Sequence, residues 1–395
     1  MRILHVLPSL AARTGGPAVT AVEMARVAAL AGATTAVYAT DLGAPAQAST
    51  RSSVRESELV PGASEVEVRL FPAQPPRRYA YSPTLRRALR ADVSAYDVVH
   101  IHSLFLYPQF AAAREAAAQR VPYIVCPHSA LDPWLRPRGR LRKALVDRAW
   151  QKRMLECAAV LHFTAEEELR LAADVAPRRP HVVVPNGVRW RDFGDLPPAS
   201  AFRTRFLGGR SNPIVLFFGR IAEKKGIDIL VRAFAHLPAD SDAILVFVGP
   251  DDEGRRRNLE ALADSLGIGD RVVFTGMLVG RDKLAALGAA DVWALPSHTE
   301  GFSIALIEAL AAGLPCVISP SVNIAPELAD AEAAVVASLI PEVVGAALAN
   351  LLAQPALRAE LGRRARVFAR QYDWEALSEV ILGMYEGALA PRGRQ

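Results

Sequence analysis

The chain has 395 residues, more than one hydrophobic core usually organises, so two domains are expected. Hydrophobic residues make up 51% and charged residues 22%, which excludes a disordered chain. The formal charge of +5 is too small to argue for nucleic acid, and three scattered cysteines (Cys126, Cys157, Cys316) without paired metal spacing fit a reducing compartment.

The amino terminus reads Met1-Arg2-Ile3-Leu4-His5-Val6-Leu7-Pro8. This apolar run is short, contains His5 and ends at Pro8, so it predicts a buried first strand rather than a signal peptide. No apolar run approaches the ~18 residues of a spanning helix, and a soluble cytoplasmic protein is expected. Further short apolar runs predict strands near Thr35–Ala39, Val98–His102, Tyr123–Cys126, Val160–Phe163 and Val182–Val184. After a breaker-rich stretch at Arg189–Asn212, others follow near Ile214–Phe218, Ile244–Val248, Val272–Thr275, Val292–Leu295 and Cys316–Ile318. Each is trailed by a polar or glycine-rich turn and an Ala/Leu-rich helix, the pattern of parallel sheets covered on both faces.

Ligands of such sheets bind beyond the carboxyl ends of the strands, so the residues after each strand carry the functional information. In chain order these are Thr14-Gly15-Gly16-Pro17, His102-Ser103, Pro127-His128-Ser129 and Pro185-Asn186-Gly187-Val188. In the second half come Gly219-Arg220 with Lys224-Lys225-Gly226, Gly249-Pro250, Gly276-Met277, and Ser297-His298-Thr299-Glu300-Gly301-Phe302. Glycines, cations, histidine and glutamate collect at one edge of both sheets. The run from Glu300 to Pro315 predicts a helix starting near Phe302 and stopped by Gly313 and Pro315. It is apolar almost all round yet carries Glu308, a carboxylate that needs a donor: ribose hydroxyls, or an arginine of its own domain. The N–H groups of Gly301, Phe302 and Ser303 at its start suit an anion.

Glu300, seven intervening residues and Glu308, followed by Ala-Leu-Ala-Ala-Gly-Leu-Pro, resemble the EX7E signature of family-four retaining glycosyltransferases. Phe218-Gly219-Arg220 with Lys225-Gly226 resembles their diphosphate-binding pair. Phe274-Thr275-Gly276 is similar to their nucleobase-side turn, Pro185-Asn186-Gly187-Val188 to their interdomain segment, and Gly15-Gly16 to their glycine loop. The resemblance spans essentially the whole chain. It implies an α/β GT-B fold, two doubly wound parallel-sheet domains facing each other across a cleft: an acceptor-side domain at 1–195, joined by a returning segment at 374–395, and a nucleotide-sugar domain at 196–373.

The resemblance also implies roles. Arg220 and Lys225 hold the donor diphosphate, Gly16 lets the backbone approach it, and the amides of Gly301, Phe302 and Ser303 lie at the same end. Glu300 contacts the donor hexose, Glu308 the ribose, and His128 the transferred sugar, while Met277 and Leu278 flank the base. The implied reaction moves a hexosyl group from a UDP- or GDP-linked donor to a glycan or lipid-linked glycan, without a metal or other cofactor. A GT-B epimerase or hydrolase, or a sugar-binding protein without catalysis, is the alternative.

Other features read as structural. Asp240-Ser241-Asp242 is a literal DxD, but it precedes a strand beside Pro238 and reads as a turn. Gly267-Ile268-Gly269 lacks a third glycine and also precedes a strand. His100 and His102 share one strand face without an evident third ligand; His100 reads as structural and His102 as a residue of the acceptor side. Glu166-Glu167-Glu168 reads as a solvated helix start. From Arg136 to Arg153 eight cations face one acid, Asp147, and Leu141, Leu145, Ala149 and Trp150 share helical spacing. That pattern predicts either a peripheral contact with an anionic membrane or a surface helix packed on the sheet.

Overall fold

The computed structural model describes residues 1–43, 59–135 and 144–390. They form two compact units: Met1–Asn186 together with the segment from Trp374, and Gly187–Asp373. The first boundary thus lies at 186 rather than at the expected 195. Hydrogen bonding explains the shift: Val188 N–H donates to the Tyr372 carbonyl at 2.8 Å, and the Arg366 guanidinium donates to the Phe193 carbonyl at 2.9 Å. These bonds attach the start of the breaker-rich stretch to the carboxy-terminal unit.

The amino-terminal unit holds seven strands: β1 (Arg2–Ser9), β2 (Thr34–Thr40), β3 (Glu67–Phe71), β4 (Val98–His102), β5 (Tyr123–Cys126), β6 (Val160–Phe163) and β7 (His181–Val183). They are ordered β3-β2-β1-β4-β5-β6-β7 and every neighbouring pair is parallel. The edge strand β3 was not expected, because Glu67-Val68-Arg69-Leu70-Phe71 alternates polar and apolar instead of running continuously apolar. Alternation along β4 divides the core. Val99 and Ile101 pack with Leu85, Leu89, Ala112 and Ala116 of the helices Pro83–Asp92 and Tyr107–Ala118. Val98 faces the other way, with Ile3, Ile124 and Val160, against Met24 of helix Gly16–Leu30 and Ile381 and Tyr385 of helix Ser378–Leu389. The returning carboxyl-terminal helix therefore covers one face of the first sheet.

The carboxy-terminal unit holds β8 (Ile214–Phe218), β9 (Ile244–Val248), β10 (Val272–Gly276), β11 (Val292–Leu295), β12 (Cys316–Ile318) and β13 (Val335–Val336), in the order β10-β9-β8-β11-β12-β13, again all parallel. In each sheet the chain leaves a central strand to one side and returns on the other: β1 lies between β2 and β4, and β8 between β9 and β11. These are the switch points where loops diverge and leave room for a ligand beyond the strand ends. Among the described residues no helix is long and apolar enough to cross a membrane.

Candidate active site

At the switch point of the second sheet the loops after β8 and β11 are tied together. The Lys224 carbonyl accepts from the Ser297 hydroxyl and from His298 N–H, each at 2.8 Å. Gly226 makes this approach possible. Its φ is +61°, and a Cβ built there would stand 1.8 Å from the Pro296 carbonyl oxygen, so only glycine fits. Glu300 is held through its backbone by the loop after β12, donating to Ser321 O at 3.1 Å and accepting from Asn323 N–H at 2.9 Å. The result is an ion pair between Lys225 Nζ and Glu300, with side chains only 11% and 9% exposed.

Burial pushes the Glu300 carboxyl up, but the Lys225 ammonium, aided by Lys224 and Arg220, more than offsets this and holds it below the usual carboxylate range. Burial lowers the Lys225 ammonium, with Glu300 opposing and the neighbouring cations Lys224 and Arg220 adding repulsion. Arg220 leaves β8 as an exposed side chain and, among the described residues, has no ion-pair partner. Arg220 thus adds a further positive charge beside the buried pair.

The helix carrying Glu308 spans Ile304–Ala311, two residues shorter at its start than expected, because the Ser303 hydroxyl accepts from Leu306 N–H as a cap. Gly301, Phe302 and Ser303 are buried ahead of it, with the Phe302 ring edge-on to Tyr372 at 5.4 Å. Glu308 is bonded to Lys283 at 2.6 Å, so a lysine of its own unit, not an arginine, satisfies it. The Lys is contributed by helix Gly280–Ala289, which directly follows Met277 and Leu278. Met277 is 39% exposed while Leu278 is buried.

In the amino-terminal unit the glycine loop after β1 turns into helix Gly16–Leu30 through Gly15 at φ +77°. Thr20 in that helix donates to the Gly16 carbonyl at 3.0 Å and to Asn186 Oδ1 at 2.7 Å, joining the glycine loop to the Pro185-Asn186-Gly187-Val188 segment. Beyond β4 and β5, Ser103, Phe105, His128 and Ser129 all have left-handed backbone, an unusual cluster for non-glycine residues and a mark of functional loops. The turn at His128 is fastened by Glu168. Its buried carboxylate accepts from Ser129 N–H, from Thr164 N–H at 2.8 Å and from the Thr164 hydroxyl at 2.6 Å. Glu168 is thus not part of a solvated helix start. Burial raises its pKa, with Asp132 adding to the rise, and the three donors offset this only in part.

His102 is closed off from solvent, fully buried 3.0 Å from His5 and 3.1 Å from His128. The third histidine, absent from a reading of β4 alone, is His5 on β1, in register with His100. The DxD segment lies ahead of β9, at the opposite end of the sheet from the ion pair, with Asp242 accepting from Asn212 at 2.9 Å. Gly267-Ile268-Gly269 likewise lies ahead of β10.

Residues 15–187 match the family model described as glycosyl transferase 4-like domain, and residues 204–368 the model described as glycosyl transferases group 1. A D-inositol 3-phosphate glycosyltransferase of Xylanimonas cellulosilytica is 31% identical over 330 residues, 78% of this chain and 76% of the relative. The chain is a family-four glycosyltransferase of the GT-B type. A second D-inositol 3-phosphate glycosyltransferase, from Salinispora arenicola, is 35% identical to the transferase over 236 residues, but the match spans only 56% of this chain and 52% of that one. Among solved structures, Anabaena HepE in complex with UDP and glucose superposes with a TM-score of 0.79 over 98% of this chain and 99% of that one at 18% identity. Sucrose-phosphate synthase from Thermosynechococcus elongatus gives 0.78 over 98% of each chain at 21% identity. Both likenesses establish the fold of the transferase.

Of the residues singled out from sequence, Arg220, Lys225 and Glu300 of the transferase are brought together at one switch point, with Gly301, Phe302 and Ser303 following Glu300 into the helix of Glu308. Gly16 and His128 belong to the other unit. The segment 136–143, with Arg136, Arg138, Arg140, Leu141, Arg142 and Lys143, lies outside the described residues.

Proposed function

We propose that the transferase moves a hexosyl group from a UDP- or GDP-linked donor to an acceptor hydroxyl, retaining the anomeric configuration and using no metal. The observation that carries this reading is Arg220, which has no ion-pair partner among the described residues, beside the buried Lys225–Glu300 pair. In this reading Arg220 and Lys225 take the diphosphate, assisted by the amides of Gly301, Phe302 and Ser303, and Gly16 admits its close approach. Glu300 exchanges Lys225 for a hydroxyl of the donor hexose. Glu308 exchanges Lys283 for the ribose. Met277 and Leu278 flank the base, and His128 meets the transferred sugar. As the bond from the anomeric carbon to the diphosphate oxygen breaks, the two cations stabilise the growing charge, the work a divalent metal does elsewhere. A new bond forms from the acceptor oxygen on the same face, and its proton passes to the departing phosphate oxygen.

The relatives named for D-inositol 3-phosphate make a phosphorylated cyclitol one acceptor to try. The basic segment favours a lipid-linked glycan at an anionic surface. On its described part Leu145 is 71% exposed, and Arg148, Lys152 and Arg153 are exposed as well. Replacing Arg138, Arg140, Arg142 and Lys143 with glutamate then abolishes sedimentation with anionic liposomes and spares nucleotide binding; wild-type protein that ignores such liposomes at low salt leaves a soluble acceptor.

The deciding experiment is turnover of a panel of nucleotide sugars with EDTA present, the product configuration being read by NMR. Activity is expected to survive chelation, and the double variant Arg220→Ala/Lys225→Ala to lose about 10²–10³-fold or more in kcat. Inactivation by EDTA with rescue by Mn²⁺, or an inverted product, would overturn the reading.

A further inference from the structure

The buried face of the first sheet carries polar groups that the reaction above does not use. His5 on β1, His100 and His102 on β4, His162 on β6 and Tyr385 on the returning helix are all fully buried, and His128 stands partly exposed at the end of the same row. Consecutive rings are in hydrogen-bond contact. His162 Nε2 lies 2.8 Å from the Val184 carbonyl and its Nδ1 3.3 Å from His100 Nε2. His100 Nδ1 lies 3.0 Å from the Tyr385 hydroxyl, which is 3.4 Å from His5 Nε2. His5 Nδ1 lies 3.0 Å from His102 Nε2, and His102 Nδ1 3.1 Å from His128 Nε2.

A neutral imidazole has one N–H and one lone pair, whereas a carbonyl oxygen only accepts. The Val184 carbonyl therefore requires the proton of His162 on Nε2, which leaves its Nδ1 to accept from His100 Nε2–H. The same step repeats along the row. Tyr385 donates to His100 Nδ1 and accepts from His5 Nε2–H; His5 Nδ1 accepts from His102 Nε2–H; His102 Nδ1 accepts from His128 Nε2–H. One carbonyl sets the tautomer of five rings. We propose that His162, His100, Tyr385, His5 and His102 are positioning residues that form a hydrogen-bonded line of fixed polarity, presenting the Nδ1 lone pair of His128 to a hydroxyl of the bound sugar.

Neutrality of the rings, on which the polarity depends, follows from burial. It lowers His5 and His128 to about 3 and His162 to about 4, with His100 and His102 well below the ordinary value. Burial likewise keeps the Tyr385 phenol protonated. The nitrogens of His5, His100 and His102 gather within 4.8 Å, close enough for one metal ion. Yet both nitrogens of each of these rings are already engaged in the line. The consequence is selective: His128 accepts from a sugar hydroxyl and cannot donate to it. The proposal rests on the reading that His128 meets the transferred sugar.

The test is nitrogen NMR of the full-length protein labelled with ¹⁵N-histidine, which separates protonated from bare ring nitrogens. Of the eight histidines, the five of the line are expected as Nε2–H. Tyr385→Phe cuts the line while keeping its bulk. His162 and His100 should keep their tautomers, whereas His5, His102 and His128 should acquire Nδ1–H forms. Turnover of the nucleotide sugar should then drop about tenfold in kcat at unchanged nucleotide affinity, the size of one misdirected hydrogen bond. An Nδ1–H His128 in wild-type protein, a Tyr385→Phe protein whose His128 stays wholly Nε2–H, or one equivalent of metal bound through these rings would overturn the proposal. Absence of any nucleotide-sugar turnover would instead sink the functional reading, and the ring spectra would still decide the line.

Discussion

The two units repeat one architecture, a parallel sheet with a switch point at the carboxyl ends of its central strands, but they handle polarity in opposite ways. The carboxy-terminal unit keeps formal charges: Lys225 with Glu300, Lys283 with Glu308, and Arg220 exposed nearby. The amino-terminal unit places its polar row under helix Ser378–Leu389 and keeps it neutral. Position along the strand accounts for the difference. Lys225 and Glu300 stand in loops past the ends of β8 and β11, where a bound anion can compensate a cation. His5, His100 and His162 stand within strands, closed off from water, where an unpaired charge would cost several kcal/mol and a neutral imidazole with two partners costs little. A buried strand admits a polar side chain on condition that it does not ionise.

Acid should separate the two units most sharply. The folded histidine pKa values are lowered beneath the unfolded value of 6.5. The unfolded chain therefore binds more protons below that pH, and stability falls as pH drops from about 6.5 towards 4. The loss approaches about 1.4 kcal/mol per histidine per pH unit. The depressed Glu300 carboxyl contributes stability that is lost only as pH falls through the carboxylate range and below. Hydrogen exchange followed against pH should accordingly show the amino-terminal unit opening first. Equal protection of both units from pH 6.5 to 4.5 would contradict the buried, neutral row.

Breaking the charged pair is the next largest effect. Lys225→Met strands Glu300 and should cost about 3–5 kcal/mol in urea unfolding, whereas Lys225→Met with Glu300→Gln should recover much of it. A double variant no more stable than the single one would mean that the pair is not the compensating element.

The smallest effect concerns the second glutamate. Lys283→Met strands Glu308 at a somewhat more exposed pair and should cost less than Lys225→Met, about 1–3 kcal/mol. Glu308→Gln should weaken nucleotide binding by about 1–3 kcal/mol in calorimetry. Equal nucleotide affinity in wild type and Glu308→Gln would refute the exchange of Lys283 for ribose.

Most strands were legible because residues buried on both faces must be apolar throughout, and such runs announce themselves locally. β3 escaped because an edge strand alternates. The clustering of Arg220, Lys225 and Glu300 was legible as well, since a parallel sheet brings the loops after its strands to one edge whatever their separation in sequence. The partners of these side chains were not. Nothing local told that Lys283 would reach Glu308, that Glu168 would leave its acidic run to hold Ser129, or that His5 would complete the pair on β4. The linear chain determined which residue types stand at the strand ends and which lie within strands. The tertiary structure alone decided the pairing, because strand register sets His5 beside His100 and a helix nearly three hundred residues further on lays Tyr385 between them.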